Sequence, residues 1–324
     1  MAEANDVVAF QDLDDDRKLG AGEPLARLDG LGGLQVVGRT AATLPPLSLD
    51  PATPRPELSL DFTDQANEAQ STVGQVVPLS DARFDDDRVS EGMWAPLTAA
   101  AKGGYGLHFL APHAPGKVPV VFVHGIAGSP RNFEPVLAAL DHTRFEPWLV
   151  YYPSGIRLPL LSKLLAEMMV RAASDLGVKK MVVVAHSMGG LVARGALEEL
   201  VTRGQGDLVD RFITLATPWG GHATAAVGVE MAPQAVPSWL DLVPGSPFLQ
   251  SLERPLPMPF HLLFAVGGRG DRLPTNNDGV VAVASQLAPW AQAEAVRTWG
   301  FDCGHVGILG NEAALAKLNE LLSR

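Results

Sequence analysis

The segment that most restricts the fold of this chain is an apolar, β-branched run that ends in a serine between small residues. Residues 182–190 read V-V-V-A-H-S-M-G-G, the sequence form of a nucleophile elbow, a sharp strand-to-helix turn that exposes a serine hydroxyl above a sheet. The turn crowds the backbone, so the positions two before and two after Ser187 must be small. Here they are Ala185, where glycine is commoner, and Gly189. The alternative interpretation is a buried strand that runs into an ordinary glycine-containing turn.

A second buried strand is predicted at residues 118–123, which read V-P-V-V-F-V and run directly into H-G-I-A-G-S-P. A strand that ends in His-Gly, followed by a loop of small residues and a helix start, is typical of the loop that binds the oxyanion in acyl transfer. We therefore assign the predicted oxyanion hole to the backbone N–H groups of Ile126 and Met188.

A candidate acid and a candidate base follow the serine along the chain. The run N-N-D-G-V-V places Asp278 on a turn, and G-H-V-G places His305 on a loop before the last predicted helix. Asp271 and Asp302 are alternative acids, but Asp302 lies only three residues from the histidine and is badly placed to reach its far ring nitrogen. The order Ser, Asp, His is that of the α/β-hydrolases, not of the chymotrypsin or subtilisin arrangements.

These motifs together resemble those of an α/β-hydrolase lipase or esterase, in the branch of bacterial lipases and GPI-inositol-deacylase-like esterases. The segments that carry the resemblance are V-F-V-H-G-I-A-G-S-P, V-V-A-H-S-M-G-G, L-A-T-P-W-G-G, N-D-G-V-V and G-H-V-G-I-L. The resemblance runs from about residue 118 to the C-terminus, and residues 75–110 look like the family's leading strands. It implies an α/β-hydrolase fold, with a mostly parallel central sheet, helices on both faces and a cap insertion.

The resemblance also implies an activity and its residues. In the family, the positions that match Ser187, Asp278 and His305 form the catalytic triad, and those that match Ile126 and Met188 form the oxyanion hole. The expected reaction is hydrolysis of hydrophobic acyl esters through an acyl-enzyme. Two alternatives stay open, an acyltransferase that uses the same triad and a non-catalytic module that binds a hydrophobic ligand.

Composition limits the partners of the chain. With 25 basic and 36 acidic residues the net charge is −11, so nucleic acid is not an expected partner, and no protein partner is implied. The single cysteine, Cys303, cannot form an intrachain disulfide and is interpreted as a buried structural thiol. No histidine has metal-ligand spacing such as H-E-x-x-H, so neither a metal nor another cofactor is expected.

The sequence contains neither an 18-residue apolar stretch nor a basic, apolar leader at its start. The compartment therefore stays open. The protein is expected to be cytoplasmic if Met1 is the native start, or exported with its signal removed.

Two regions are predicted. Residues 1–70, rich in Pro and Asp, form an extended N-terminal arm, and residues 71–324 form the catalytic domain. Within that domain, residues 221–259 are too long and too apolar for a simple strand-to-helix connection. They are predicted to cap the active site, lining an acyl pocket or contacting a lipid interface, the alternative being a helix docked against the sheet. The expected substrate-binding residues are Trp219, His222, Trp239 and Phe248.

Strands and helices are expected to alternate through the catalytic domain. Helices are predicted at residues 129–140, 161–176, 188–200 and 311–322. Strands are predicted at residues 118–123, 147–152, 182–186, 212–216, 261–266 and 295–299.

Overall fold

The structure is a computed structural model that describes residues 7–10, 25–28, 50, 52, 72–103, 105–231, 235–268 and 276–323. The chain divides into two compact units, Met1–Ala69 and Gln70–Arg324. In the first unit, strands β1 (Val7–Phe10) and β2 (Leu25–Leu28) pair antiparallel. This pair was not predicted from the sequence. Almost all the rest of the predicted arm lies outside the described residues.

An eight-stranded sheet forms the centre of the second unit. Its strands are β3 (Gln75–Val76), β4 (Gly106–Phe109), β5 (Val118–Val123), β6 (Phe145–Tyr151), β7 (Met181–His186), β8 (Val209–Leu215), β9 (Phe260–Ala265) and β10 (Arg297–Phe301). Their order across the sheet is β10-β9-β8-β7-β5-β6-β4-β3. The pair β4–β6 is antiparallel and every other neighbouring pair is parallel.

Eleven α-helices are found in the part of the chain that the structure describes. They are α1 (Asp86–Trp94), α2 (Pro96–Ala101), α3 (Glu134–Ala139), α4 (Leu158–Leu176), α5 (Met188–Thr202), α6 (Ala223–Met231), α7 (Pro237–Leu242), α8 (Pro247–Ser251), α9 (Val283–Gln286), α10 (Pro289–Glu294) and α11 (Glu312–Ser323). None of the described helices is long and apolar enough to cross a membrane. The predicted fold class, a mostly parallel sheet covered by helices on both faces, is confirmed.

The sheet separates two apolar cores, because successive side chains of a strand point to opposite faces. On β5, Val121 and Val123 join the core covered by α4 and α5, whereas Val120 and Phe122 join the core covered by α3 and α11. A parallel strand buried on both faces needs apolar residues at every position. This requirement explains why the run at 118–123 is apolar without alternation.

Several predicted elements differ from those observed. The helix expected at residues 129–140 begins as a 3₁₀ helix at Pro130–Phe133 and becomes α-helical only from Glu134. Pro135 is the reason, since it lacks the N–H that a continuous α-helix needs. The strands expected at 147–152 and 295–299 are observed at Phe145–Tyr151 and Arg297–Phe301.

The order of the strands predicts where on the sheet a ligand would bind. Strand β5 lies between β6 and β7. The chain passes from β5 to β6 on one side and then from β6 to β7 on the other side, so the direction of strand addition reverses at β5. In open α/β sheets, ligands bind outside the carboxyl ends of the strands at such a switch point. Ile126 follows β5 and Ser187 follows β7, so both lie at this position.

Candidate active site

Ser187 occupies a strained turn between β7 and α5. Its backbone has φ 55° and ψ −133°, a region that non-glycine residues rarely adopt and that costs on the order of 1–3 kcal/mol. Two neighbouring glycines make the turn possible. A Cβ on Gly189 would lie 2.3 Å from the carbonyl oxygen of His124, and a Cβ on Gly125 would lie 2.8 Å from the Cβ of Ser187. Only glycine fits this close approach without a backbone shift.

His305 stands between the serine and an acid. Its Nε2 lies 2.8 Å from the Ser187 Oγ, and its Nδ1 lies 2.6 Å from the Asp278 Oδ2. A carboxylate can only accept a hydrogen bond, so Nδ1 carries the proton and Nε2 is left to accept from the serine hydroxyl. The backbone of the histidine is fixed as well, because its N–H donates to the Asp278 carbonyl at 2.8 Å and its carbonyl accepts from the His186 Nε2 at 2.9 Å.

Asp278 is buried and held by four hydrogen bonds. Its Oδ1 accepts from the amides of Val280 at 2.9 Å and Val281 at 2.6 Å. Its Oδ2 accepts from His305 and, at 3.0 Å, from the Gln286 Nε2. Burial alone would raise the pKa of this carboxyl, but the hydrogen bond and charge of His305 and the two amides outweigh burial and leave the pKa below its ordinary value. The group therefore stays ionised at neutral pH.

Asp302 and Cys303 do not share the buried, hydrogen-bonded environment of Asp278. Asp302 is exposed, and Asp271 lies outside the described residues. Cys303 is partly buried with its Sγ 3.8 Å from the Phe301 carbonyl, and burial raises the pKa of its thiol. A thiol of that kind is a poor nucleophile, because the thiolate is the reactive form.

Ile126 and Met188 line the same pocket as Ser187. Met188 is the first residue of α5, so its N–H has no partner within the helix. Among the backbone hydrogen bonds of the described turns, loops and helix caps, none has the N–H of Ile126 or Met188 as its donor. Backbone N–H groups without a partner can stabilise an oxyanion that forms beside them, and the positive end of α5 favours negative charge near Ser187.

The pocket above Ser187 has a volume of about 260 Å³. Helices α6 and α7, which belong to the connection between β8 and β9, form one side of it. The lining residues are Ile126, Ser187, Met188, Pro218, His222, Thr224, Ala225, Gly228, Trp239, Leu242, Val280 and Val281. Most of these side chains are apolar, so the pocket favours an apolar group next to the serine.

Two of the four expected substrate-binding residues reach the pocket. The His222 Nε2 donates to the Val280 carbonyl at 2.7 Å, and its Nδ1 accepts from the Thr224 hydroxyl at 2.6 Å. This ring therefore links the start of α6 to the turn that carries Asp278, residues 276–281, called the acid turn below. The Trp239 ring packs against Gly228 on one side and lies edge-to-face with Trp94 at 5.8 Å.

Trp219 and Phe248, the other two residues expected to bind substrate, are not among the lining residues of this pocket. Trp219 is 1% exposed and packs edge-on against Phe212, Phe260 and Trp290, in the core beneath the sheet's end. Phe248, on α8, is buried in the same core. Apolar character alone did not show which side of the β8–β9 connection faces the serine, because prolines interrupt its periodicity.

Two further histidines adjoin the site. Burial lowers the pKa of His124 to about 4, and burial together with the charge of His305 lowers that of His186 to about 3. Both rings are therefore neutral near pH 7, and each hydrogen-bonds a loop carbonyl, Gly125 for His124 and His305 for His186. Their hydrogen bonds fix the two loops that carry Ile126 and His305.

Gln286 and the lining residues of α6 were not predicted from the sequence. Thr224, Ala225 and Gly228 share one helical face, a spacing that could have identified them once α6 was located. A buried glutamine at the end of a four-residue helix leaves no comparable signal. Among the described residues, no group of three or more His, Cys, Asp or Glu side chains is arranged to hold a metal ion.

Comparison with known proteins identifies the fold. A family model for the alpha/beta hydrolase fold matches residues 118–254, from β5 to the end of the β8–β9 connection's helices, so it includes Ser187 and ends before Asp278 and His305. Comparison with curated proteins finds no significant match.

Solved structures of two lipases are similar to this chain. The mature form of lipase BlEst2 from Bacillus licheniformis is 20% identical with a TM-score of 0.51, and the match covers 64% of this chain and 93% of that one. Lipase B of Aspergillus fumigatus is 18% identical with a TM-score of 0.55, covering 70% of this chain and 57% of that one. At such identity the likeness concerns the fold. The eight-stranded sheet, the family match and these neighbours show that residues 70–324 contain the alpha/beta hydrolase fold.

Proposed function

We propose that this protein is a carboxylic-ester hydrolase that acts on esters of apolar acyl groups through a serine nucleophile. The observation that carries the proposal is the alignment of Ser187, His305 and Asp278, joined by contacts of 2.8 Å and 2.6 Å at the floor of an apolar pocket. A buried, ionised carboxylate, a histidine in the right tautomer and a strained serine are the parts that acyl transfer requires.

The reaction proceeds in two steps. His305 takes the proton of Ser187 as its oxygen attacks the ester carbonyl, and Asp278 stabilises the resulting imidazolium. The amides of Ile126 and Met188 stabilise the oxyanion of the tetrahedral intermediate. His305 then protonates the leaving alcohol, and a water molecule that it activates hydrolyses the acyl-enzyme.

The pocket supports an ester of an apolar acid as substrate. Its volume of about 260 Å³ lies just below the usual range of small-ligand sites, roughly 300–1,000 Å³. Such a volume suits one acyl chain of modest length better than a peptide, and the mostly apolar lining disfavours a charged group.

The test is labelling of the purified protein with a fluorophosphonate, followed by hydrolysis of p-nitrophenyl esters of increasing chain length. We expect labelling at Ser187 and turnover of the esters. Ser187→Ala should abolish labelling, and Ser187→Ala and His305→Ala should each lower kcat by roughly 10⁴- to 10⁶-fold without unfolding the protein. Normal turnover by Ser187→Ala would refute the proposal.

The same assay distinguishes hydrolysis from transfer. Product analysis with and without an added alcohol gives free acid alone for a hydrolase. A new ester as the main product at low alcohol concentration would instead identify an acyltransferase.

A further inference from the structure

Gln286 is a fully buried polar residue that lies between the sheet and the candidate acid. It is the last residue of α9, with 0% of its surface exposed. Its carboxamide contacts both the end of β9, at Ala265, and Asp278.

The orientation of the carboxamide is fixed by these contacts. The N–H of Ala265 can only donate, so the oxygen of Gln286 faces it, at 3.0 Å. The amide nitrogen then uses its two protons for the Ala265 carbonyl, at 3.0 Å, and the Asp278 Oδ2, at 3.0 Å. Every strong hydrogen-bonding atom of this side chain therefore has a partner.

Gln286 gives Ala265 the two hydrogen bonds that a neighbouring strand would otherwise form. Pairing between β8 and β9 ends at Leu215 and Leu263, with one more bond from Ala216 to the Leu263 carbonyl. Ala265 lies beyond that point, and the Gln286 carboxamide offers it the donor and acceptor that a longer β8 would supply. The side chain is thus anchored to the rigid sheet before it reaches the acid.

We propose that Gln286 is a positioning residue that orients the Asp278 carboxylate toward His305, an inference that rests on the proposed triad. The two backbone amides of the acid turn bind only Oδ1. The oxygen that faces His305 is Oδ2, and Gln286 is its other side-chain donor. Gln286 therefore both fixes this oxygen in place and disperses part of its negative charge.

The experiment compares two substitutions with a matched control. Gln286→Met keeps the length of the side chain and removes all its hydrogen bonds. Gln286→Glu keeps an acceptor for the Ala265 N–H but turns an oxygen toward Asp278, where two close carboxyl groups must share a proton. The control is Gln292→Met on α10, an exposed glutamine whose amide bonds the Leu287 carbonyl and has no link to the acid.

We expect Gln286→Met to lower kcat by roughly tenfold, with KM changed less than about twofold, since a hydrogen bond to a charged group is lost. With its charge less dispersed, Asp278 should hold the His305 imidazolium more strongly, so the acidic limb of the kcat/KM profile should move to higher pH. Gln286→Glu should add an ionisation to that profile. Gln292→Met should match the wild-type protein in all these measurements.

The proton on the His305 Nδ1 provides a reading that needs no substrate. In the wild-type protein it should give a strongly downfield NMR signal, and both Gln286 variants should shift that signal. Wild-type kcat, pH profile and proton signal in a folded Gln286 variant, even one of lower stability, would overturn the proposal. Failure of the wild-type protein to react with fluorophosphonate or esters would refute the proposed function instead, while the proton signal would still test Gln286.

Discussion

At the scale of single residues, burial and contacts favour Asp278 over Asp302 as the acid. Asp278 is buried and contacts His305 at 2.6 Å, whereas Asp302 is exposed on the loop that carries the histidine. An amide at position 278 could not stabilise the imidazolium and would favour the wrong tautomer.

We therefore expect Asp278→Asn to lower kcat by roughly 10⁴-fold, and Asp302→Asn, the matched control, to change it by less than about threefold. Steady-state kinetics on a short p-nitrophenyl ester measures both. A larger loss in Asp302→Asn would assign the acid to the loop that carries His305. Equal losses in the two variants would contradict the choice of Asp278.

At the scale of elements, the connection between β8 and β9 contributes to both pocket and core. Helices α6 and α7 line the pocket, whereas α8 buries Phe248 away from it. Residues 221–259 thus contribute both to the wall of the pocket and to the core, and their action as a cap stays a prediction.

These two roles predict opposite effects of two alanine substitutions. Trp239→Ala should enlarge the pocket and move the preferred ester to longer chains, by roughly fourfold in kcat/KM for each methylene newly buried. Phe248→Ala should leave chain-length preference unchanged and cost about 3–5 kcal/mol of unfolding free energy. Trp94→Ala is the control for Trp239, since Trp94 touches that ring but is 66% exposed and does not line the pocket.

Measurement of kcat/KM across the ester series, together with urea denaturation, separates the two outcomes. A shift in chain-length preference caused by Phe248→Ala, with none from Trp239→Ala, would contradict this division of the connection.

The elements also show what sequence could and could not predict. The bounds of β5 follow from an uninterrupted apolar run, which a strand buried on both faces requires. The apolar sequence pattern does not show whether Trp219 lies in the core or in the pocket, because an apolar side chain is equally suited to both. Gln286 was invisible for a different reason, since its role depends on where β8 ends, a property of strand pairing and not of neighbouring residues.

At the scale of the whole molecule, buried histidines predict a loss of stability in mild acid. Burial lowers the pKa of His108 and His124 to about 4, and burial with the nearby His305 charge lowers that of His186 to about 3, from an ordinary value of 6.5. Below pH 6.5 the unfolded chain binds protons that the folded protein does not. The contribution of these three histidines to stability is therefore fully present above pH 6.5 and is lost progressively from there toward pH 4, by up to about 1.4 kcal/mol per pH unit for each histidine. Glu198, whose pKa burial raises to about 7, contributes in the opposite direction.

Urea denaturation between pH 7.5 and pH 5 measures this dependence. His108→Gln, which lies on β4 away from the serine, should lower the slope by up to about 1.4 kcal/mol per pH unit, the contribution of one such histidine. His142→Gln, at an exposed position, should leave it unchanged. An unaltered slope in His108→Gln would show that other groups govern the acid sensitivity.

The order of the strands along the chain determines when the molecule becomes reactive. Ser187 and His305 are 118 residues apart, and β9, the acid turn and β10 are all synthesised after the elbow. Such long-range parallel pairing forms late and slowly. On the proposed mechanism, a growing chain would therefore carry its serine for some time without a base. Hydrolysis would begin only when the last part of the sheet has closed, so a truncated or half-folded copy would be harmless to the esters around it.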